Sequence, residues 1–381
     1  MRITIVQGAF LPVPPLMGGA VEKVWQALGE EFARRGHDVV HISRVVSPLP
    51  QWEVAGGVTH VRVRGYDTPA SLPLLKLLDL LYSFRARAAL PKRSDIIVTN
   101  TFWLPMLLRS SSRGQVYVHV ARFPKGQMRY YAHCARLQAP SRAVAEAVKQ
   151  QAPELSNKVT AIPYPRPEPI DPSTPPPLPS RPATILYVGR VHPEKGVHLL
   201  VEAFTRLPLP LTVSWKLRIV GPWESHLGGG GEAYRDQLLR LADGRRDSVQ
   251  LHGPIFEACE LEREFRTARV FVYPSLAETG ETFGLAPLEA MTHGCATVVS
   301  NLGCFHDFVI DDETGFIFDH RVESPAVALE LKLAALLNNE PRLAAVAARG
   351  RAQTEEYSLQ AVAAKYVADF QLLTESASAA R

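Results

Sequence analysis

Ten prolines fall within twenty residues, Pro163 to Pro182, in the run Pro-Tyr-Pro-Arg-Pro-Glu-Pro-Ile-Asp-Pro-Ser-Thr-Pro-Pro-Pro-Leu-Pro-Ser-Arg-Pro. Proline has no amide hydrogen and a fixed φ, so such a run cannot be the interior of a sheet or a helix and favours extended backbone. A chain of 381 residues is also too long for one ordinary core. The expectation is two domains, 1–165 and 183–357, joined by a Pro-rich linker over 166–182.

Each part alternates strands with helices. Arg2–Gln7 reads as a strand, Ala20–Arg35 as a helix ended by Gly36, and Asp38–Ser43 as the next strand; Asp95–Asn100 and Gln115–Val120 follow, and Ser141 caps a helix to Gln151. After the prolines come Ala183–Val188, Trp215–Val220, Ser248–Leu251, Val270–Tyr273 and Thr297–Ser300, separated by helical stretches. Strands alternating with helices give parallel, doubly wound α/β sheets, whose ligands bind beyond the carboxyl ends of the strands. Leu72–Arg93 has apolar residues at helical spacing among Lys76, Arg85, Arg87, Lys92 and Arg93, which suits either an ordinary packed helix or one lying on an anionic bilayer.

Composition narrows the class. The apolar fraction is 46%, and no run reaches the roughly 18 apolar residues that span a bilayer. With no signal peptide legible at the start, the expected compartment is the cytosol, with the inner face of the membrane as a peripheral location. Cys134, Cys259, Cys295 and Cys304 have no metal-site spacing and read as reduced, mostly buried thiols. The net charge of +4 hides an asymmetry, because residues 1–165 hold 21 Lys and Arg against 10 Asp and Glu, a formal +11. Such a field attracts anions or an anionic surface. A dinucleotide fingerprint is missing after the first strand, where Gly8 precedes Ala-Phe-Leu-Pro-Val-Pro-Pro, so a nicotinamide oxidoreductase is disfavoured.

The chemistry concentrates in residues 270–300. The strand Val270–Tyr273 is stopped by Pro274 and Ser275; Glu281-Thr-Phe-Gly-Leu-Ala-Pro-Leu-Glu289 carries the chain from a loop onto a helix that Gly294 ends. Two carboxylates near one strand end can accept from several hydroxyls of a sugar. Upstream, the strand to Val188 runs into Gly189-Arg190-Val191-His192-Pro193-Glu194-Lys195-Gly196 and a helix, which places two cations and a helix N-terminus where an anion can bind.

These blocks resemble the Glu-x7-Glu and Gly-Arg-x4-Lys-Gly elements of retaining, family 4 type glycosyltransferases of the GT-B fold. The resemblance implies two Rossmann-like domains facing a cleft, with the C-terminal helix, about 358–375, packing back on the first domain. It implies that Glu281 contacts hydroxyls of the donor sugar, that Glu289 holds the ribose, and that Arg190 and Lys195 bind the diphosphate. Thr282, Phe283, Gly284 and Leu285 are further donor contacts by the same resemblance, and Gly189 and Gly221 line the nucleotide. Glu278 stands where a member with a shorter loop would carry its first glutamate and is a second candidate for the sugar. The Gly18-Gly19 loop before the first helix matches the family's glycine loop, and His119 matches a histidine near the anomeric carbon. Arg122, Lys125 and Arg129 are acceptor candidates.

The resemblance thus implies a metal-independent hexosyltransferase with a nucleoside diphosphate sugar as donor, uridine first, and no cofactor or nucleic-acid partner. The acceptor is a glycan, a lipid-linked molecule or a small molecule. A GT-B disaccharide or glucan synthase, a phosphorylase and a catalytically silent sugar-nucleotide-binding subunit remain alternatives.

Overall fold

The computed structural model describes residues 1–109 and 113–379, which form two units: Met1–Pro165 with the segment from Leu359 onward, and Arg166–Ser358.

The first unit is built on one sheet. Its elements are β1 Arg2–Val6, α1 Ala20–Arg34, β2 Asp38–Arg44, β3 Trp52–Ala55, β4 Val58–Val63, α2 Leu72–Ala89, β5 Ile96–Thr99, α3 Leu104–Leu107, β6 Gln115–His119, β7 Arg136–Ala139, α4 Arg142–Gln151 and β8 Val159–Ala161. The strand order is β3-β4-β2-β1-β5-β6-β7-β8, parallel except for the β3–β4 hairpin. The apolar runs of β1 and β5 are buried along almost their full length, as a sheet covered on both faces requires. Ser141 accepts from the Val144 amide and caps α4.

The second unit holds β9 Thr184–Val188, α5 Val197–Arg206, α6 Leu209–Ser214, β10 Lys216–Val220, α7 Glu232–Leu241, β11 Val249–His252, α8 Ala258–Thr267, β12 Val270–Tyr273, α9 Leu285–Thr292, β13 Ala296–Ser300, β14 Phe316–Phe318, α10 Pro325–Leu337 and α11 Glu340–Gln353. Its sheet is parallel throughout, in the order β11-β10-β9-β12-β13-β14.

The proline segment after Pro165 groups with the second unit and lies along it as a strap. Proline leaves its carbonyl free to accept, and arginines exploit this: Arg181 donates to Pro176 O at 2.9 Å and Arg269 to Pro179 O at 2.8 Å. Glu262 accepts the amides of Ile170 and Asp171 at 2.7 and 3.2 Å.

The last helix, α12 Leu359–Ala379, belongs to the first unit. Tyr366 and Phe370 are fully buried against Trp25 and Phe32 of α1 and Tyr117 of β6. Asp369 fixes the register: it takes a hydrogen bond from Tyr117 at 2.9 Å and pairs with Arg136 at 2.5 Å.

Candidate functional site

In the second unit the strand order reverses at β9, which lies between β10 and β12. Such a switch point opens a crevice beyond the strand ends. Here the β9–β12 ladder pairs Val270 with Ile185 and Phe271 with Leu186, while β9 stays paired with β10 through Val188. The strands part at their carboxyl ends, and the rings of Tyr187 and Tyr273 stack in the gap, 5.7 Å apart with planes 9° from parallel.

The loops leaving β9 and β12 meet directly above this pair. Gly196, at the start of α5, has φ 65°, and a Cβ there would strike the Pro274 carbonyl oxygen. Only glycine allows that approach without strain. The Leu276 amide donates to Glu194 O at 2.8 Å and locks the two loops together. Lys195 Nζ is thereby held 2.7 Å from Glu281 Oε2, with side-chain exposures of 8% and 12%. Ser275 Oγ donates to the same carboxylate oxygen at 3.2 Å. Tyr273 also hydrogen-bonds Glu281, and burial first, then the Glu281 charge, push its hydroxyl well above the usual range, so it remains a donor.

Arg190 stands at the rim of the crevice. Its guanidinium donates to Gly228 O at 2.8 Å and to Glu194 at 2.6 Å, and its carbonyl accepts from Tyr187 at 2.8 Å. In the loop after β12, α9 begins after Gly284 with no side-chain cap among the described residues and no acidic residue in its first turn. The positive end of that helix is therefore open to an anion. Phe283 is buried against Phe308 and Tyr357, at 5.4 and 6.2 Å between ring centroids, which anchors the Thr282–Leu285 turn. Glu289 lies half-buried on α9, one turn beyond Leu285. Gly189 and Gly221 end β9 and β10 side by side; their amides donate to Val220 O and His252 O. A Cβ on Gly221 would meet the Gly189 carbonyl.

Glu278 is placed apart from the Lys195–Glu281 pair in its contacts. Its carboxylate accepts from Arg321 at 2.8 and 3.0 Å and faces His320 Nε2 at 2.9 Å. The Arg321 bond in the first place holds it below the ordinary carboxylate range.

In the first unit, Gly18 and Gly19 form the loop before α1, both with positive φ. A Cβ on Gly19 would strike the carboxylate of Glu22, a buried side chain whose pKa burial raises, opposed by its own amide and by Arg122. His119, which the resemblance places near the donor sugar, has both its ring nitrogens engaged. Nδ1 lies 2.6 Å from Gln138 Oε1 and Nε2 3.0 Å from the Tyr164 hydroxyl. Burial lowers its pKa to about 4, so the ring is a neutral member of a buried network. Arg122, Lys125 and Arg129 are exposed on the loop after β6, with Arg129 over the Tyr130 ring at 5.3 Å.

Sequence reasoning passed over Tyr187, Tyr273, Ser275 and Glu194. Each adjoins a quoted motif at a strand end or turn, and that adjacency was the available signal. Among the described residues no cluster of three or more His, Cys, Asp or Glu side chains could hold a metal ion.

Residues 173–353 match the family model of the glycosyl transferases group 1. Among curated proteins, the lipopolysaccharide core biosynthesis mannosyltransferase LpsB of Rhizobium meliloti is 32% identical over 187 residues, 47% of this chain and 49% of that enzyme. The D-inositol 3-phosphate glycosyltransferase of Xylanimonas cellulosilytica is 32% identical over 188 residues, 49% of this chain and 42% of that enzyme. The chain thus spans about half the length of the curated relatives it matches. Among solved structures, sucrose-phosphate synthase from Thermosynechococcus elongatus superimposes with a TM-score of 0.76 at 20% identity, covering 99% of this chain and 100% of that one. HepE from Anabaena, solved with UDP and glucose, gives 0.68 at 15% identity, covering 97% and 100%. The fold is GT-B, and the match to the group 1 model lies within the second unit.

Proposed function

We propose that this chain, a GT-B protein with the group 1 glycosyl transferase sequence on its second unit, moves a hexose from a nucleoside diphosphate sugar to an acceptor hydroxyl with retention of configuration. The observation that carries the reading is the Lys195–Glu281 pair at the switch point, beside Arg190 and the uncapped start of α9. A nucleoside diphosphate has two demands: cations and amides for its phosphates, and a carboxylate for sugar hydroxyls. The loops above Tyr187 and Tyr273 offer both.

In this reading Glu281 accepts from donor-sugar hydroxyls, Glu289 from the ribose, and Lys195 and Arg190 turn from their carboxylate partners to the diphosphate. The acceptor oxygen bonds to the anomeric carbon as the bond from that carbon to the phosphate oxygen breaks. The hydroxyl proton passes to that leaving oxygen. Lys195, Arg190 and the α9 dipole stabilise the negative charge that develops there, and they stand in for a metal. His119, locked to Gln138 and Tyr164, acts by holding the end of β6 in place.

Uridine is the first choice of base, supported by the UDP and glucose bound to the HepE structure. The acceptor we infer is an envelope glycan carrying phosphate or lipid, met at the inner face of the membrane. It is supported by the +11 formal charge of residues 1–165 and by the likeness to a lipopolysaccharide core enzyme. The test is nucleotide release from UDP-hexoses and GDP-mannose, with the anomeric proton coupling of the product read by NMR. UDP release with an α product from an α donor is expected. Silence with every donor, or an inverted product, would remove the reading.

A further inference from the structure

The helix α2 is built inside out. Its sheet-facing side, packed on β2, β4 and α3, consists of Asp79, Tyr82, Ser83 and Ala86, all buried. Asp79 accepts the Phe102 and Trp103 amides at 3.2 and 3.3 Å. The opposite side carries Leu74, Leu77, Leu81 and Phe84, spaced three and four residues apart and 41% to 52% exposed, with Leu72 at 64% at the helix start. A helix of a soluble domain normally turns its apolar stripe inward. An outward stripe of this size marks a docking surface.

The charges select the occupant. Exposed Lys76 and Arg87 flank the stripe on one side, and exposed Lys92 and Arg93 follow the helix; Arg85, on the other side, is half-buried and donates to Arg64 O and the Tyr66 hydroxyl. The sole acidic residue of α2 is the buried Asp79. A second copy docked stripe to stripe would set like cations against each other, as a two-fold contact demands. An anionic bilayer satisfies both the leucines and the cations. We infer that α2 seats the protein on an anionic lipid surface, with Leu74, Leu77, Leu81 and Phe84 entering the acyl boundary and Lys76 and Arg87 at the headgroups. This rests on the reading above that the first unit meets a membrane face, and it names the inserting element.

The experiment is sedimentation of the full chain with vesicles of phosphatidylcholine, alone or mixed with phosphatidylglycerol, at low salt. Two variants accompany it: Leu77→Gln/Leu81→Gln/Phe84→Gln, which leaves the cations, and Lys76→Gln/Arg87→Gln, which leaves the stripe. Binding to the mixed vesicles is expected, with each variant weaker by about tenfold or more and thermal unfolding unchanged. Failure of the parent chain to bind, equal binding to neutral vesicles, undiminished binding of the triple variant, or stripe-dependent dimerisation without lipid would each overturn the inference. UDP titration of the same samples separates the two readings. Lost UDP binding with intact vesicle binding strikes the donor assignment alone.

Discussion

Lys195 Nζ lies 2.7 Å from Glu281 Oε2, a contact between residues 86 apart in sequence that exists because β9 and β12 are neighbours in the sheet. Both side chains are largely withdrawn from water. Removing one partner strands the other charge, at a cost of about 3–5 kcal/mol.

Glu281→Gln keeps the shape and a hydrogen-bonding group but strands the Lys195 charge. Sugar transfer is expected to fall by about two to three orders of magnitude while the chain still folds. Lys195→Met should lower both transfer and stability, and the double variant Lys195→Met/Glu281→Gln should recover much of the stability and none of the activity. Urea melts and turnover of the four chains form a double-mutant cycle, with a coupling of up to about 3 kcal/mol. Simple additivity would mean the pair does not act as a unit.

Glu278 tests the neighbouring loop. Its carboxylate is held by Arg321 and His320, an exposed arrangement that contributes under about 1 kcal/mol. Glu278→Gln should therefore leave turnover and the Michaelis constant for the donor near those of the parent chain. A large rise in that constant would return Glu278 to the sugar site.

Gly196→Ala should destabilise by about 1–3 kcal/mol, since alanine resists a left-handed φ and its Cβ would strike Pro274 O. A lowered urea midpoint with an unchanged slope would show it. Donor affinity should fall with stability, because the same approach seats Lys195 beside Glu281.

Stability should decline in acid. Burial lowers the pKa of His41 to about 3 and those of His119 and His293 to about 4. Above the ordinary value of 6.5 both states are neutral and nothing is lost. As pH falls from 6.5 toward 4, the unfolded chain takes protons that the folded chain refuses, and each histidine steepens the loss by up to about 1.4 kcal/mol per pH unit. Asp79, pushed up to about 6 by burial, and Glu22, which burial also raises, act in the opposite sense, whereas burial lowers His37, His60 and His198 as well. Among the described residues, neither ring nitrogen of His41 has a hydrogen-bond partner. His41→Leu should thus flatten the pH dependence by one proton without loss at pH 7, as melts from pH 4 to 8 would record.

Much of the fold was legible where pattern and punctuation agreed. Val270–Tyr273 is a pure apolar run closed by Pro274, and β12 occupies those residues; α1 was bounded by Gly36 and ends at Arg34. β7 escaped notice because Arg-Leu-Gln-Ala does not look like a buried strand. Its Gln138 is buried only because His119, Ala139 and Ile162 satisfy it. The hairpin of β3 and β4 turns at Gly56-Gly57, both with positive φ. In the site, the motifs named Arg190, Lys195 and Glu281. Their partners Tyr187, Tyr273 and Ser275 depend on where β9 and β12 diverge, a property of the sheet rather than of any local run. Periodicity likewise suggested a helix at α2 but could not say which face is buried.

The central claim is that the loops after β9 and β12 hold a nucleoside diphosphate. Calorimetric titration of UDP, with GDP alongside, into the parent chain and into Arg190→Ala tests it most directly, because Arg190 stands at the rim and its removal spares the buried pair. The account predicts saturable binding in the parent chain, with affinity reduced about tenfold or more in the variant, equivalent to about 1.4 kcal/mol. Absence of binding to either nucleotide, or equal affinity in the two proteins, would contradict it.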